Sequence, residues 1–281
     1  MTSIEILPFG QSDRAHVAEL VDAHAEVVVP GLVLPGGGAT HVARQRGRAT
    51  AAARVVRDGA GAGRIGWFLV WPDERSWPDA SAAGDALLAA LAAALERAGA
   101  AEVRADGAPP GLVVAGLPDQ WPHVSAAYER AGFVHAGGIE LLYAADVRTF
   151  PRLRRPPVRD LRARRDAGPE AVTITASLDG AVVGRLEAAL LDRSRGAPAG
   201  GRWAEVRRLE VAEPHRRRRI ATWLAGRACD WLAAAGAGRL LAYAGPGQEG
   251  CAAFYAVSPG FVELTRARRG WVRGPLTAPP A

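Results

Sequence analysis

The residues best able to do chemistry lie in one stretch, Arg207-Arg208-Leu209-Glu210-Val211-Ala212-Glu213-Pro214-His215-Arg216-Arg217-Arg218-Arg219-Ile220-Ala221-Thr222-Trp223-Leu224. It reads as a buried strand entering a short basic loop that opens directly into a helix. Backbone N–H groups at a helix start have no intrahelical partner. They sit at the positive end of the helix dipole, so they favour an anion. The side chains of Arg216, Arg217, Arg218 and Arg219 add charge at the same spot. This arrangement suits a pyrophosphate. No two histidines have metal-ligand spacing, and Cys229 and Cys251 are not arranged as zinc ligands, so no metal is expected.

The elements that must position this stretch follow from periodicity and punctuation. A helix from about Ile220 to Ala235 carries Ile220, Leu224, Ala228 and Trp231 on one stripe and closes at Gly236. Trp203–Val211 reads as the strand before the loop. Val172–Ser177 and Ala181–Leu191 alternate as a hairpin across Asp179-Gly180. A strand over Arg239–Tyr243, a helix around Cys251–Val257 and Gly260-Phe261 before a last strand complete this half.

The first half has a similar plan. Strands are expected at 4–8, 51–57 and 64–71, with Asp13 capping a helix between the first two. A glycine-rich joint at Gly36-Gly37-Gly38 precedes a second helical stretch through Arg46. A helix with Leu87, Leu88, Leu91 and Leu95 on one face stops at Gly99. A Pro/Gly-rich loop covers 106–119, a helix around Trp121–Ala131 leads to Gly132-Phe133, and a strand pair ends near Val147. The shared order suggests a degenerate duplication. Residues 148–169, crowded with Arg and Pro, read as a semi-rigid linker between a domain at 1–147 and another at 170–275.

Composition narrows the class. The 281 residues are 49% hydrophobic and 23% charged, which excludes wholesale disorder and suggests two domains. The longest apolar run, Ala86–Leu95, is far short of the roughly 20 residues that cross a bilayer. No signal peptide is recognisable at the N-terminus, and the two cysteines read as reduced thiols, so a cytoplasmic protein is expected. All 35 basic residues are arginine, with no lysine or asparagine anywhere, the mark of a high-GC coding sequence. The net charge of +6 is therefore weak evidence for nucleic acid, and no zinc-finger spacing or RNA-binding aromatic motif accompanies it. The charge fits any polyanionic partner, a phosphorylated co-substrate included.

The loop resembles that of the GNAT superfamily of N-acetyltransferases, where a strand ending in Val leads to an Arg/Gln-x-x-Gly-x-Gly/Ala segment holding the pyrophosphate of acetyl-CoA. Arg216, Ile220 and Ala221 fall in register, and Thr222 continues the helix start. Arg219 stands where the motif has its first glycine. Downstream, Ala252-Ala253-Phe254-Tyr255 before Gly260-Phe261 is similar to the family's aromatic-Tyr…Gly-Phe pattern, and Gln248 holds the place of an Asn that bonds the cofactor arm. The resemblance implies two tandem α/β domains, each a mixed, mostly antiparallel sheet flanked by helices. It also implies acetyl transfer to an amine by direct attack in a ternary complex, with acetyl-CoA as co-substrate. Backbone N–H groups near Leu209 and Val211 would polarise the thioester carbonyl, and Tyr255 would protonate the leaving thiolate.

Glu205 matches the pattern Glu-x-(Lys/Arg)-Arg-Leu and is the candidate base. On a regular strand it alternates in phase with Arg207, Leu209 and Val211, while Glu210 points the other way. A bulge, which the family has in this strand, would change that phase. In the first half the matching loop, Arg75-Ser76-Trp77-Pro78-Asp79-Ala80, keeps only the Arg, and Asp73, Glu74 and Asp79 oppose an anion. That half reads as a cofactor-less scaffold or substrate wall.

Plainer readings stand beside these. Arg216–Arg219 could be a solvated helix start, Tyr255 a core tyrosine, and Glu205 a structural partner for one of the arginines. An acyl-CoA-binding or sensor module without catalysis is the competing function, motivated by Arg219. The acceptor, a small-molecule or peptide amine, is not readable from the sequence. No membrane partner is expected, and a homodimer stays open.

Overall fold

A computed structural model describes residues 3–24, 39–57, 63–73, 75, 77–105, 116–191 and 202–274. The chain divides into two units, Met1–Glu140 with Thr265–Ala281, and Leu141–Leu264. Both are α/β, each with a mixed, mostly antiparallel sheet and flanking helices. The chain's last segment, from Thr265, falls in the first unit.

The first unit runs β1 (Ile4–Pro8), α1 (Arg14–Asp22), β2 (Ala39–Gln45), β3 (Arg48–Arg57), β4 (Gly63–Val70), α2 (Ala80–Arg97), β5 (Val103–Ala105), β6 (Leu117–Pro118), α3 (Pro122–Arg130) and β7 (Val134–His135). β8 (Ile139–Asp146) then leads into the second unit, which contains β9 (Arg162–Ala167), β10 (Ala171–Leu178), β11 (Ala181–Leu190), β12 (Arg202–Val211), α4 (Ile220–Ala234), β13 (Ala237–Ala244) and α5 (Glu249–Val257). β14 (Phe261–Arg268) leads out of it, and β15 (Trp271–Arg273) ends the described chain. One sheet has the order β1-β2-β3-β4-β5-β15-β7 and the other β6-β14-β8-β13-β12-β11-β10-β9. In both, one hairpin-linked trio is followed by a parallel neighbour, β4 beside β5 and β12 beside β13. The duplication is thus topological. The strand beyond the parallel pair is supplied out of order, by β15 in the first sheet and β8 in the second.

Two expectations in the first unit need correction. The stretch through Arg46 is the strand β2, not a helix; it pairs with β1 and β3, and those ladders override the local helix preference of Ala39, Ala43, Arg44 and Gln45. Arg46 and Gly47, at φ of 50° and 78°, form a two-residue hairpin turn with both residues left-handed. Asp13 does occupy the N-cap position of α1 but makes no cap bond to that helix. Its buried carboxylate instead accepts from the Gly10 N–H at 2.8 Å and from Arg44 Nε at 2.8 Å. Gly36-Gly37-Gly38 and residues 106–115 of the expected loop lie outside the described residues.

The expected linker is also revised. Residues 162–167 form β9, paired along its length with β10. Phe150 and Leu161 are buried in the core of the second unit, with Leu153 and Val158 packed against it. Arg152 fastens the segment by donating to the carbonyls of Val147 and Phe150 and by meeting Asp230 on α4 at 3.1 Å. The prolines and arginines that read as a linker form a strap over α4. Its closeness to the helix is fixed at Gly226, where a Cβ would stand 3.1 Å from the Pro151 carbonyl oxygen.

A histidine pair, His24 buried and His123 half-buried, makes the first unit's stability depend on pH. His24 Nδ1 donates to the Leu20 carbonyl at 2.7 Å, so its neutral ring accepts at Nε2 from His123 Nε2, 2.9 Å away. Burial pushes both rings down to about 4 from 6.5, with mutual repulsion adding to the effect at His123. Between those values the unfolded chain binds more protons than the folded one. Stability is therefore full above pH 6.5 and falls as the pH drops toward 4. Denaturant unfolding should show a loss of about 2 kcal/mol from His24 between pH 7 and pH 5. The His24→Gln variant should show a flatter profile, and identical slopes would exclude the pair as the cause.

Candidate functional site

The site is organised by one strand and the helix it feeds. β12 and β13 pair in parallel from Arg202↔Ala237 to Glu205↔Leu241. Beyond that point β12 continues to Val211 and β13 to Ala244, and among the described residues neither pairs further with the other. The strands open like a V at Glu205. β13 remains bonded on its far edge to β8 as far as Ala244↔Leu141, and β12 to β11 as far as Val211↔Gly184. The opening is therefore held rigidly from both sides.

The orientation of β12 across the opening follows from its hydrogen bonds. Ala212 N–H donates to the Val183 carbonyl on the β11 side at 2.9 Å. N–H groups alternate between the edges of a strand, which turns those of Val211 and Leu209 away from β11 and toward the open edge. The side chains of Leu209 and Val211 pack against the core under α4. The resemblance assigned the N–H groups of these two residues to the thioester carbonyl, and their direction is consistent with that task.

The expected phase of Glu205 is corrected by a bulge. Opposite β11 the register shifts, with Ala188↔Val206 followed by Glu187↔Arg208, so Arg207 is the extra residue. Ala204 and Val206 face the core before the bulge, and Leu209 and Val211 face it after. Glu205 consequently lies on the sheet face opposite Leu209 and Val211, and shares that face with Glu210. Arg207 Nε stands 3.2 Å from Glu205 Oε1, and Arg208 Nη2 stands 2.8 Å from Glu210 Oε2. Arg207 was not singled out as a site residue. The signal for it was present, since two adjacent charged residues break the period of an otherwise alternating strand.

The loop has a backbone unusual for its residues. After a 3-10 turn over Glu213–His215, Arg217 and Arg219 adopt φ of 59° and 62°, the left-handed region that favours glycine. Arg219, where the family motif has glycine, thus keeps the glycine's conformation. It is also the N-cap of α4, without any side-chain cap bond. The first helical bond that reaches it is Trp223 N–H to the Arg219 carbonyl, 3.0 Å. Ile220, Ala221 and Thr222 therefore begin the helix with N–H groups that have no i−4 acceptor within it. Arg216 Nε donates to the Val211 carbonyl at 3.2 Å and ties loop to strand, while Arg218 Nη1 lies 3.5 Å from His215 Nδ1. All four arginines are exposed.

A left-handed arginine costs about 1–2 kcal/mol, against roughly 0.5–1 kcal/mol for glycine's extra freedom in the unfolded chain. The Arg219→Gly variant should accordingly be more stable, by up to about 1 kcal/mol. Equilibrium unfolding reads this directly, and a less stable variant would show that the Arg219 side chain holds the loop.

The remaining candidates lie on α5. Tyr255 is 2% exposed, with ring centroids 4.9 Å from Phe261, 5.2 Å from Phe254 and 5.4 Å from Tyr143. Burial, and secondarily the nearby Cys251, push its hydroxyl well above the usual tyrosine range, so it holds its proton at neutral pH. Gln248 is the N-cap of α5; its Oε1 accepts from the Gly245 N–H at 3.1 Å, which leaves the Nε2 amide to act as a donor. Cys251 feels both Arg216 and Glu210, though burial is the larger influence and raises its thiol. Cys229 is pushed to about 12, chiefly by burial in the α4 core, and is chemically quiet.

The equivalent loop in the first unit repeats the left-handed cap residue with the opposite charge. Asp79, at φ 69°, caps α2 as Arg219 caps α4. A carboxylate there opposes an anion. Ser76 and Glu74 lie outside the described residues. Among the described residues no group of three or more His, Cys, Asp or Glu could hold a metal ion, and no helix is long and apolar enough to cross a membrane.

Residues 139–261 match the model of the acetyltransferase (GNAT) family. That segment begins with β8 and coincides closely with the second unit. No curated protein matches the sequence. Among solved structures, the chain is similar to a tandem GNAT protein from the clavulanic acid biosynthesis pathway, at 18% identity and a TM-score of 0.60, covering 98% of this chain and 100% of that one. It is also similar to a GCN5-related N-acetyltransferase from Sphaerobacter thermophilus, at 14% identity and a TM-score of 0.58, covering 96% and 95%. A third likeness, at 16% identity and a TM-score of 0.61, is to a fungal multi-domain beta-N-acetylglucosaminidase with a glucosamine N-acetyltransferase region; it covers 96% of this chain but 38% of that one. Residues 139–261 thus match the GNAT acetyltransferase family, in a chain with the fold of these tandem GNAT structures.

Proposed function

We propose that the second unit transfers an acetyl group from acetyl-CoA to an amine by direct attack in a ternary complex. The observation that carries this reading is the opened β12–β13 pair, which runs into a cationic, left-handed loop at the start of α4. The free N–H groups of Ile220, Ala221 and Thr222, with Arg216 to Arg219 around them, would bind the pyrophosphate. Gln248 Nε2 would donate to the pantetheine arm. The N–H groups of Leu209 and Val211 would stabilise negative charge on the thioester oxygen. Glu205, at the apex of the V, would take the amine's proton, directly or through water, and Tyr255 would give its proton to the departing thiolate.

An alkyl amine with a pKa near ~10.4 is about 3.4 units from its neutral form at pH 7, a deficit of roughly 4.6 kcal/mol that a base must offset. The ion pair with Arg207 does not remove Glu205 from this role, since an exposed pair contributes only ~0–1 kcal/mol and exchanges readily. A second reading, a non-catalytic acyl-CoA-binding module, is favoured by the arginine in the glycine position at 219.

Melting of the full-length protein with and without acetyl-CoA, followed by thiol release against an amine panel, tests both. At a hundredfold excess over Kd, binding adds about 2.7 kcal/mol and raises Tm by several degrees. A shift with thiol release supports transfer. A shift with no release from any amine supports the binding module. Absence of a shift in the wild type, with one in Arg219→Gly, would mean that the loop is disabled and would end the transferase reading.

A further inference from the structure

A second charged feature of this unit is not used by the proposed chemistry. The strap and β9 border an open cleft of about 620 Å³ against α4. Its apolar wall is Leu161, Ile174 and Trp223, and its cations are Arg162 and Arg165 from β9 and Arg227 from α4. Among the described residues none of these three guanidinium groups makes an ion pair or a hydrogen bond; Arg227 instead stacks over the Trp223 ring, 5.5 Å from its centroid. The one acid in the lining, Asp230, is engaged by Arg152 at 3.1 Å. Arg152 is itself committed to the backbone of the strap.

Like charges brought together beside an apolar wall repel, and an anion between them relieves that repulsion. Guanidinium forks match the oxygens of phosphates and carboxylates. A volume of this order is typical of small-molecule sites. Arg227 lies eight residues into α4 from its cap, about 12 Å along the axis from the pyrophosphate loop.

We propose that this cleft is a second binding site, separate from the acetyl-CoA loop, for a small dianion on an apolar body, the chemistry shared by phosphate monoesters and aromatic dicarboxylates. Arg162, Arg165 and Arg227 grip the charge, and Leu161, Ile174 and Trp223 cover the body. The site is independent of whether the unit transfers acetyl groups.

Isothermal titration of the full-length protein with phenyl phosphate, and separately with phthalate, tests it; the stronger binder identifies the class. Saturable one-site binding is expected for at least one probe, weakened at least tenfold in Arg165→Gln/Arg227→Gln and retained in saturating CoA. Arg164→Gln, on the same strand and paired with Asp166, should leave it unchanged. Arg162→Gln serves as an independent variant should the double substitution misfold, which circular dichroism reports. No saturable heat from either probe would overturn the proposal, as would equal weakening by Arg164→Gln. Displacement by CoA would also overturn it, because the cleft would then belong to the donor's own phosphate.

Discussion

Replacing Glu205 with glutamine should lower kcat/KM for amine acetylation by about 100-fold or more at pH 7, the upper part of the range for losing a positioned base. The stability cost should be small, since the side chain is 22% exposed and its partner Arg207 is more exposed still. The pH profile separates this from a structural effect. In the variant only the fraction of amine already neutral can react, so its rate should climb about tenfold per pH unit toward the amine's pKa. The wild type should flatten earlier. Glu210→Gln is the matched control. Glu210 shares the bulge-defined face and has a comparable arginine partner, yet it lies past the apex of the V. Its loss should change the rate by less than about threefold, well within the span expected of a group without a role in proton transfer. Equal losses at both positions would show that the charged face as a whole, rather than one base, supports the reaction.

That control exists only because of a feature the sequence showed indirectly. Alternation placed Glu205 with Leu209 and Val211; the extra residue Arg207 reverses the phase, and the doubled arginine was its one visible sign. Local chemistry was legible where a single residue type suffices. Asp179-Gly180 turns the β10–β11 hairpin at φ of 50° and 82°, and Gly99 and Gly236 end α2 and α4 at φ of 94° and 80°. It failed where long-range pairing decides. β2 is a strand because β1 and β3 flank it, although Ala39, Ala43, Arg44 and Gln45 are good helix formers. The placement of β15 in the first sheet and β8 in the second was illegible for the same reason. Nothing in the composition of either strand names the neighbour beside which it is to lie. The strap over α4 was misread because proline and arginine signal solvent exposure, while its anchoring depends on Phe150 and Leu161 entering a core built mostly by later residues. At Arg219 the motif's demand on the backbone was met without the motif's residue, so the departure is one of side chain and strain rather than of shape.

Tyr255→Phe carries the second large effect. The substitution keeps the ring and its contacts with Tyr143, Phe254 and Phe261, so Tm should hold and acetyl-CoA affinity should change little. What disappears is a proton held firmly by burial. A thiol of pKa near ~8.5 is a tolerable leaving group unaided, so the acid is worth less than the base; a fall in kcat of tenfold or somewhat more is expected. The loss should fall on kcat rather than KM, because the hydroxyl is needed only as the thiolate forms. Donors with a more acidic leaving thiol should narrow the gap between variant and wild type, since they need the proton less. Tyr143→Phe, in the same aromatic cluster on β8, should stay within about threefold of wild type, since the proposed reaction gives its hydroxyl no proton transfer. An unchanged kcat in Tyr255→Phe would make Tyr255 a core residue whose buried hydroxyl has no part in the reaction. Protonation of the thiolate would then fall to solvent, and the thiol-acidity dependence would be identical in both proteins.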